Sequence, residues 1–481
     1  MPNSDLKSKT AKGLFWGGLN NGLQQVLNLV FGIFLARLLT PSDYGMVGML
    51  TIFSLIASSL QESGFTSALI NRKEIKVEDY NSVFWFSLLI SISLYAILFF
   101  AAPLIARFYN TPELTRLARY SFLGFVIASF GIAPSAYLTK KLQIKQKSAV
   151  TVFAIILSCT VGIIMAFNGF AYWGIATQGL IYVTVHSLCY WCMMDWRPSF
   201  KVSFGPVKEM LPFSLKLVVT NIFRIISDNI FSVLLGRFYS KTDVGMFNQA
   251  SKWRNMGTSI INGTVSGVSQ PVLVESDSEK QRQLMVIRKL MRFTAFASFP
   301  AMFGLALIAP EFIEIAITDK WADSAEYLRI LCISGAFMPV ASLIASLILS
   351  RGKSRVYMWV NVVQCLVQIM ALISVYRLGL MVMIIVNVVI DILWLLVWNY
   401  FAEREIGYKT TLLMKDLLPF AAISVVTMAL TYVITMNITN IYLLVVSRVI
   451  LAIAIYTIIM KCSRAVIFNE SMEYLKNIIR K

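Results

Sequence analysis

Apolar residues run along this chain in blocks of about 18 to 25 positions, separated by short polar stretches, from end to end. A block of that length crosses roughly 30 Å of hydrocarbon as a helix and is about twice what a barrel strand needs. Because a backbone in lipid must satisfy its own hydrogen bonds, helices are the reading that remains. Hydropathy predicts spans near residues 13–38, 44–70, 82–105, 117–138, 149–167, 171–194, 210–236, 244–274, 291–310, 326–350, 356–376, 379–401, 416–436 and 441–461. The expected fold is therefore all-α, a polytopic membrane protein with about fourteen transmembrane helices. The polar start, Met1 to Lys12, leads into a full-length apolar segment with no small-residue cleavage site before the next span. We expect no cleaved signal peptide and a first span that is retained.

Composition agrees: 57% of the 481 residues are hydrophobic and 14% charged, against about 25% charged in an ordinary soluble domain. The net charge of +18 raises the question of nucleic acid, but the basic residues are dispersed among loops rather than gathered on one face or tail, which argues against such a partner. They are also unevenly sided. With fourteen spans, the loops opposite the termini hold only Arg37, Arg107, Arg116, Arg237, Lys241, Lys320 and Arg377, while most of the 43 basic residues lie on the side of the termini. The positive-inside rule then places both termini in the cytoplasm. The acidic segment from Glu311 to Glu326 falls on the opposite, periplasmic side. Beyond the last span, Ile467, Leu475, Ile478 and Ile479 alternate with Glu473, Lys476, Asn477 and Arg480 at roughly helical spacing, as in a short interfacial helix.

Soluble catalysis has little room here, since no loop exceeds about twenty residues and no G-x-x-x-x-G-K-[ST] occurs. The six cysteines form no extracellular framework, and the Cys189-x-x-Cys192 pair lies inside an apolar span without a βαβ context. His186 shares that span, has no acidic neighbour in sequence and reads as a packing residue. No metal and no cofactor are expected.

The chain matches itself at an offset of 200 residues: Asn21 pairs with Asn221, Phe31 with Phe231, Leu35 with Leu235, Arg37 with Arg237, Asp43 with Asp243, Gly45 with Gly245 and Met46 with Met246. An even number of spans precedes the second copy, so the repeat is parallel, about an axis along the membrane normal. Transporters of that design bind substrate between the halves. The implied organisation is an N-terminal lobe over 1–205, a second lobe over 206–405, and two additional helices with a tail over 406–481. In the repeated turn, Thr40-Pro41-Ser42-Asp43 and Ser240-Lys241-Thr242-Asp243 end one helix and cap the next, and Gly45 and Gly245 permit close helix approach. Arg37 and Arg237 read mainly as parts of this hairpin.

Charge at the bilayer centre costs about 2.5 to 3.5 kcal/mol, so polar faces within spans point to protein or to a water-filled cavity. The first span carries Asn21, Gln24, Gln25 and Asn28 within an arc of about 100°; its repeat carries Asn221, Arg224 and Asp228. The second carries Thr51, Ser54, Ser58 and Glu62; its repeat carries Ser251, Arg254, Thr258 and Asn262, with Lys252 and Lys216 adding charge nearby. Packing and cavity lining are equally good readings for the Asn and Ser residues, and Arg224 with Asp228 could be a self-neutralising i, i+4 pair. Two arginines on matched faces are costly as mere glue, so a cavity is the expectation. Its net charge of about +2 suits an anion, and arginine forks suit phosphate oxygens, as in a pyrophosphate. Glu62 or Asp228 could instead bind a counter-transported proton or sodium ion.

The segment Phe34-Leu35-Ala36-Arg37-Leu38-Leu39-Thr40-Pro41-Ser42-Asp43-Tyr44-Gly45 resembles the L-A-R-x-L-x-P-x-x-[YF]-G signature of bacterial oligosaccharide flippases, the polysaccharide-transport branch of the multidrug/oligosaccharidyl-lipid/polysaccharide exporter superfamily. Glu62-Ser63-Gly64-Phe65, followed by Ala68-Leu69-Ile70 and Arg72, is similar to the colanic-acid and teichuronic-acid exporter subgroup. The resemblance implies fourteen helices in two parallel lobes whose first two helices line a cationic cavity. It also implies translocation of an undecaprenyl-pyrophosphate-linked glycan to the periplasmic leaflet by alternating access. Arg224, Arg254 and Lys252 would then attract the pyrophosphate, while Asn21, Gln24, Asn28, Asn221, Ser54 and Ser58 solvate sugar. Membrane lipids surround such a protein, and polymerase and chain-length proteins of a polysaccharide pathway are candidate partners. The rival readings are a multidrug exporter of the same superfamily, which would want an acidic pocket and twelve spans, and a membrane glycosyltransferase or polymer ligase, which would want a catalytic periplasmic loop.

Overall fold

The computed structural model describes residues 22–62, 69, 76–199, 205–275, 280–463 and 467–468. Asn21, the side chains of Glu62 and Lys216, and the expected interfacial helix beyond Phe468 lie outside the described residues. The described chain forms fourteen α-helices. These are α1 Gly22–Leu38, α2 Pro41–Glu62, α3 Val77–Phe108, α4 Leu114–Lys140, α5 Ile144–Phe167, α6 Tyr172–Met193, α7 Gly205–Phe238 and α8 Lys241–Glu275, followed by α9 Lys280–Ile317, α10 Ala322–Ser350, α11 Ser354–Val375, α12 Leu380–Ile406, α13 Thr410–Thr435 and α14 Ile441–Cys462. No strand occurs among the described residues. Ten of the helices are long and apolar enough to cross a membrane.

Local chemistry sets the helix ends. At the start of α14, Asn440 Oδ1 accepts the amide hydrogens of Tyr442 and Leu443 at 3.0 and 3.1 Å, which satisfies two otherwise orphaned donors. Gly407 closes α12 in the left-handed region, at φ 73°, where a side chain would be strained.

The chain divides into two units, Met1–Gly245 and Met246–Lys481. In the first, α3 packs on α4, α4 on α6, α5 on α6, and α2 on α7. In the second, α9 packs on α10, α10 on α12, and α11 on α12, with α13 and α14 added against α9. The internal pairing of the first unit thus recurs six helices later, as a gene-level repeat would produce. The first helix of the second sequence copy, α7, packs on α2 and so falls in the first unit. Division at 206 follows sequence repetition, whereas division at 246 follows contact.

Packing inside the first unit relies on small residues and on polar groups that find backbone partners. Any Cβ at Gly131 of α4 would meet Ser187 Oγ of α6 at 2.9 Å, and Ser187 itself donates to the Ile127 carbonyl at 3.2 Å. Trp191 Nε1 donates to the Phe130 carbonyl at 2.7 Å, and Gln61 Nε2 to that of Phe125 at 2.6 Å. His186 lies between Tyr182 and Tyr190, with ring centroids 5.7 and 4.2 Å away.

Two ionic clusters, one at each end of α9, tie helices of the second unit together. Arg448 of α14 donates to Glu311 Oε1 of α9 at 2.6 Å and to the Leu307 carbonyl at 3.2 Å. Near the opposite end of α9, the fully buried Asp416 of α13 accepts from Arg288 and Arg292 and from the Tyr408 hydroxyl at 3.2 Å. Burial, and then the adjacent Asp416 charge, push the Tyr408 phenol well above its ordinary range. Tyr408 therefore remains a donor to the carboxylate.

Candidate functional site

The repeated turn is built twice with the same chemistry. Thr40 is the N-cap of α2: its amide and hydroxyl donate to Asp43 Oδ2 at 2.9 and 2.6 Å, and the Asp43 amide donates back to Thr40 Oγ1 at 3.3 Å. Ser240 and Asp243 repeat the arrangement at the start of α8, at 3.1, 2.7 and 3.2 Å. Both are reciprocal capping boxes, with Asp in place of the usual Glu. Pro41 follows its cap at the first helical position, where no amide hydrogen is needed.

Immediately after these caps, α2 and α8 meet backbone to backbone. A Cβ at Gly45 would overlap the Lys241 carbonyl oxygen, and one at Gly245 would overlap the Pro41 carbonyl oxygen. The contact is reciprocal, each glycine facing the residue that opens the other copy. Gly245→Ala is expected to cost about 2 kcal/mol, because neither partner is a flexible side chain that can yield. Gly263→Ala is the control, since nothing lies within 4 Å of its missing Cβ and alanine is the better helix former. A melting point that falls in both variants alike would contradict the close-approach account.

Beside the turn, Arg237 donates from a terminal nitrogen to the Phe108 carbonyl at 2.8 Å and lies 5.4 Å from the Phe108 ring. It thereby ties the end of α7 to the end of α3. Met49, Tyr109, Glu113, Gly236, Arg237 and Lys241 are among the residues around a cleft of about 350 Å³ there. The exposed Arg37 has interactions of its own.

In the first unit, Asn28 on α1, Thr51 on α2, and Asn221, Arg224 and Asp228 on α7 are exposed, while Gln24, Ser54 and Ser58 are half-buried. No ion pair joins Arg224 to Asp228 among the described residues, so the self-neutralising pair considered from the spacing does not form. An exposed arginine and aspartate one turn apart in the middle of α7 cannot face hydrocarbon cheaply. Asp228 has interactions of its own within the chain, and water or a polar ligand is the physically consistent neighbour for Arg224.

The α8 stripe is placed differently. Trp253 is buried edge-on against Phe312, with centroids 4.9 Å apart, and Thr258 is buried with its hydroxyl on the Asn255 carbonyl at 3.2 Å. Arg254 is half-buried. Its methylenes pack against Gly335 of α10, and its Nε and a terminal nitrogen donate to Asn255 Oδ1 at 3.2 and 3.1 Å. Lys252 is also half-buried and has interactions within the chain. Ser251 Oγ and Asn262 Oδ1 are buried without a hydrogen-bond partner among the described residues, so unmet polar capacity flanks Arg254.

Two residues escaped the sequence reading. Asn255, adjacent to Arg254, orients its guanidinium; the helical stripe missed it because it lies 100° around the helix. Asp391, within α12, accepts from Gln364, Gln368 and Asn387 at 3.4, 3.0 and 3.4 Å. An acid in so apolar a span was itself a signal. Among the described residues, no group of three or more His, Cys, Asp or Glu could hold a metal ion.

Comparison with known proteins places this architecture. The profile of a family described as "Polysaccharide biosynthesis protein" matches residues 34–326. The chain is 25% identical over 369 residues to an "Uncharacterized membrane protein in cps region" of Klebsiella pneumoniae, covering 75% of each chain. It is 22% identical over 363 residues to the "Lipopolysaccharide biosynthesis protein WzxC" of Escherichia coli (strain K12), covering 74% of this chain and 73% of that one. Among solved structures, "Lipid II flippase MurJ, inward closed conformation" superposes with a TM-score of 0.74 at 15% identity, over 97% of this chain and 100% of that one. At that identity the likeness concerns the fold.

Proposed function

Because the chain belongs to the polysaccharide biosynthesis protein family, we propose that it flips undecaprenyl-pyrophosphate-linked oligosaccharide repeat units from the cytoplasmic to the periplasmic leaflet for surface polysaccharide assembly. It is a multi-pass membrane transporter and not an enzyme. The observation that carries the substrate reading is the exposed polar face of α7, formed by Asn221, Arg224 and Asp228. The names of a flippase and of a lipopolysaccharide biosynthesis protein among its likenesses support the same reading.

In this proposal Arg224, Arg254 and Lys252 attract the pyrophosphate, since guanidinium forks match phosphate oxygens. Gln24, Asn28, Asn221, Ser54 and Ser58 replace water around sugar hydroxyls, as would Asn21. No bond is made or broken. Movement of an anion outward by alternating access is favoured by an inside-negative potential, by about 2.3 kcal/mol per charge per 100 mV. Glu62 and Asp228 are the carboxylates we assign to a counter-transported proton or sodium ion. Asp228→Asn is then expected to remove the dependence of transport on that ion gradient; an unchanged dependence would exclude Asp228.

The lobes we propose are 1–205 and 206–405, with 406–481 appended, in an inner membrane with both termini cytoplasmic. Alkaline phosphatase fused after Lys320 should be active and after Lys481 inactive; the reverse pattern would invert the topology. The function is tested by deleting the protein from its host and analysing lipid-linked intermediates. Repeat units trapped in the cytoplasmic leaflet are the expected result. Unpolymerised units accumulating in the periplasm would instead point to a polymerase or ligase.

A further inference from the structure

Arg288, Arg292 and Phe296 follow one another at successive turns along one face of α9, so charge gives way to an aromatic ring within about 12 Å. Arg288 holds both carboxylate oxygens of Asp416, Nε to Oδ2 at 2.9 Å and a terminal nitrogen to Oδ1 at 3.0 Å. Arg292 donates only its Nε, to Oδ1 at 2.6 Å. One buried negative charge therefore faces two guanidinium groups. The bidentate Arg288 already neutralises it, which leaves Arg292 as a surplus cation. Its side chain is 39% exposed, and its terminal nitrogens have no hydrogen-bond partner among the described residues. Exposed Lys415, beside Asp416 in the chain, adds a second positive group.

The depth of this cluster can be read from its neighbours. One turn further along α9, Phe296 meets Phe420 of α13 at 6.4 Å, Tyr456 of α14 at 5.7 Å and Phe468 at 6.4 Å. Arg292 closes the basic start of α9, after Lys280, Arg282, Arg288 and Lys289, and the apolar run begins at Phe293; that charge-to-apolar boundary puts Arg292 at the height of lipid headgroups. The next side chain along α9 is apolar and open: Phe293 is 37% exposed. A charged group above exposed apolar residues is the pattern of a surface that faces lipid rather than an aqueous cavity.

We propose that Arg292, with Lys415, binds the phosphodiester of an anionic phospholipid in the leaflet at the N-terminal end of α9, its acyl chains lying along Phe293. Arg288 and Asp416 serve as the brace that holds Arg292 in place. The site is independent of the transported substrate and is built within the second unit, since Arg288, Arg292, Lys415 and Asp416 all lie there. If Arg292 were only a second brace on Asp416, its guanidinium would snorkel into water and show no preference among lipids.

Native mass spectrometry of the full chain, taken from membranes of mixed phosphatidylcholine and phosphatidylglycerol, tests this. The wild type should retain one phosphatidylglycerol in preference to phosphatidylcholine. Arg292→Gln should lower that retention about fivefold, the effect of one basic group near an anionic membrane surface. It should still fold, since Arg288 keeps the bidentate pair. Arg292→Lys, which preserves the charge, should retain the lipid within about twofold. Arg282→Gln, an exposed basic residue nearer the start of the same helix, should change nothing. Unaltered retention in Arg292→Gln, or an equal loss in Arg282→Gln, would overturn the site. Displacement of the lipid by inorganic phosphate or by undecaprenyl pyrophosphate would assign the pocket to a free anion or to the substrate, and would overturn the phospholipid reading.

Discussion

Replacing Arg224 and Arg254 together with alanine is expected to lower glycan translocation by about 100-fold while the protein remains folded and inserted. Hydrogen bonds to a charged group are worth about 1.5–3 kcal/mol each, so losing two from a pyrophosphate contact corresponds to at least about that factor. The single variants should separate binding from architecture. Arg224 is exposed and forms no ion pair with Asp228, so Arg224→Ala should impair transport with the melting temperature unchanged. Arg254 packs its methylenes on Gly335 and holds Asn255, so Arg254→Ala should lose some stability as well. Undiminished surface polysaccharide in the double variant would remove both residues from the proposed site.

Asp416→Ala is expected to destabilise the protein by about 3 kcal/mol. Removing the acid from a buried pair leaves its partners uncompensated, which typically costs about 3–5 kcal/mol. The lower end applies because the Arg288 and Arg292 side chains are 29% and 39% exposed and can turn partly to water. The Tyr408 hydroxyl would lose its acceptor too. Thermal unfolding followed by intrinsic fluorescence should show a fall of about 3 °C in the midpoint. A midpoint unchanged within error would mean that α9 and α13 are held by their apolar contacts alone. The same variant should abolish the phospholipid preference, since Arg292 loses its brace.

Several of these residues were legible before any fold was known. The matched pairs Asp43/Asp243 and Gly45/Gly245 stood out because a repeated polar residue or glycine inside apolar segments has no compositional excuse. The helix-cap role of the aspartates is local, which is why spacing alone predicts it, whereas the glycines show only that a close approach is wanted and not to what. The stripe on α8 was legible only in part. Periodicity placed Ser251, Arg254, Thr258 and Asn262 on one face, but the face a helix turns inward is chosen by its neighbours. Met302 and Gly335 draw that side of α8 into the second unit, burying Thr258 and half-burying Arg254. Nothing in the local pattern marks Arg288 and Arg292 as paired, because their acid partner is more than a hundred positions away.

The sequence by itself determined the all-helical membrane fold, the repeat at offset 200 and the two capped turns, because hydropathy, period and capping act over a few turns of chain. Only the tertiary structure decided that Gly45 and Gly245 face the other copy's opening residue, that Arg224 stands clear of Asp228, and that Asp416 gathers Arg288, Arg292 and Tyr408. Those outcomes depend on which helix lies beside which, and on the cost of leaving a charge in the membrane without a partner. That cost is settled between segments distant in sequence, and no local pattern records it.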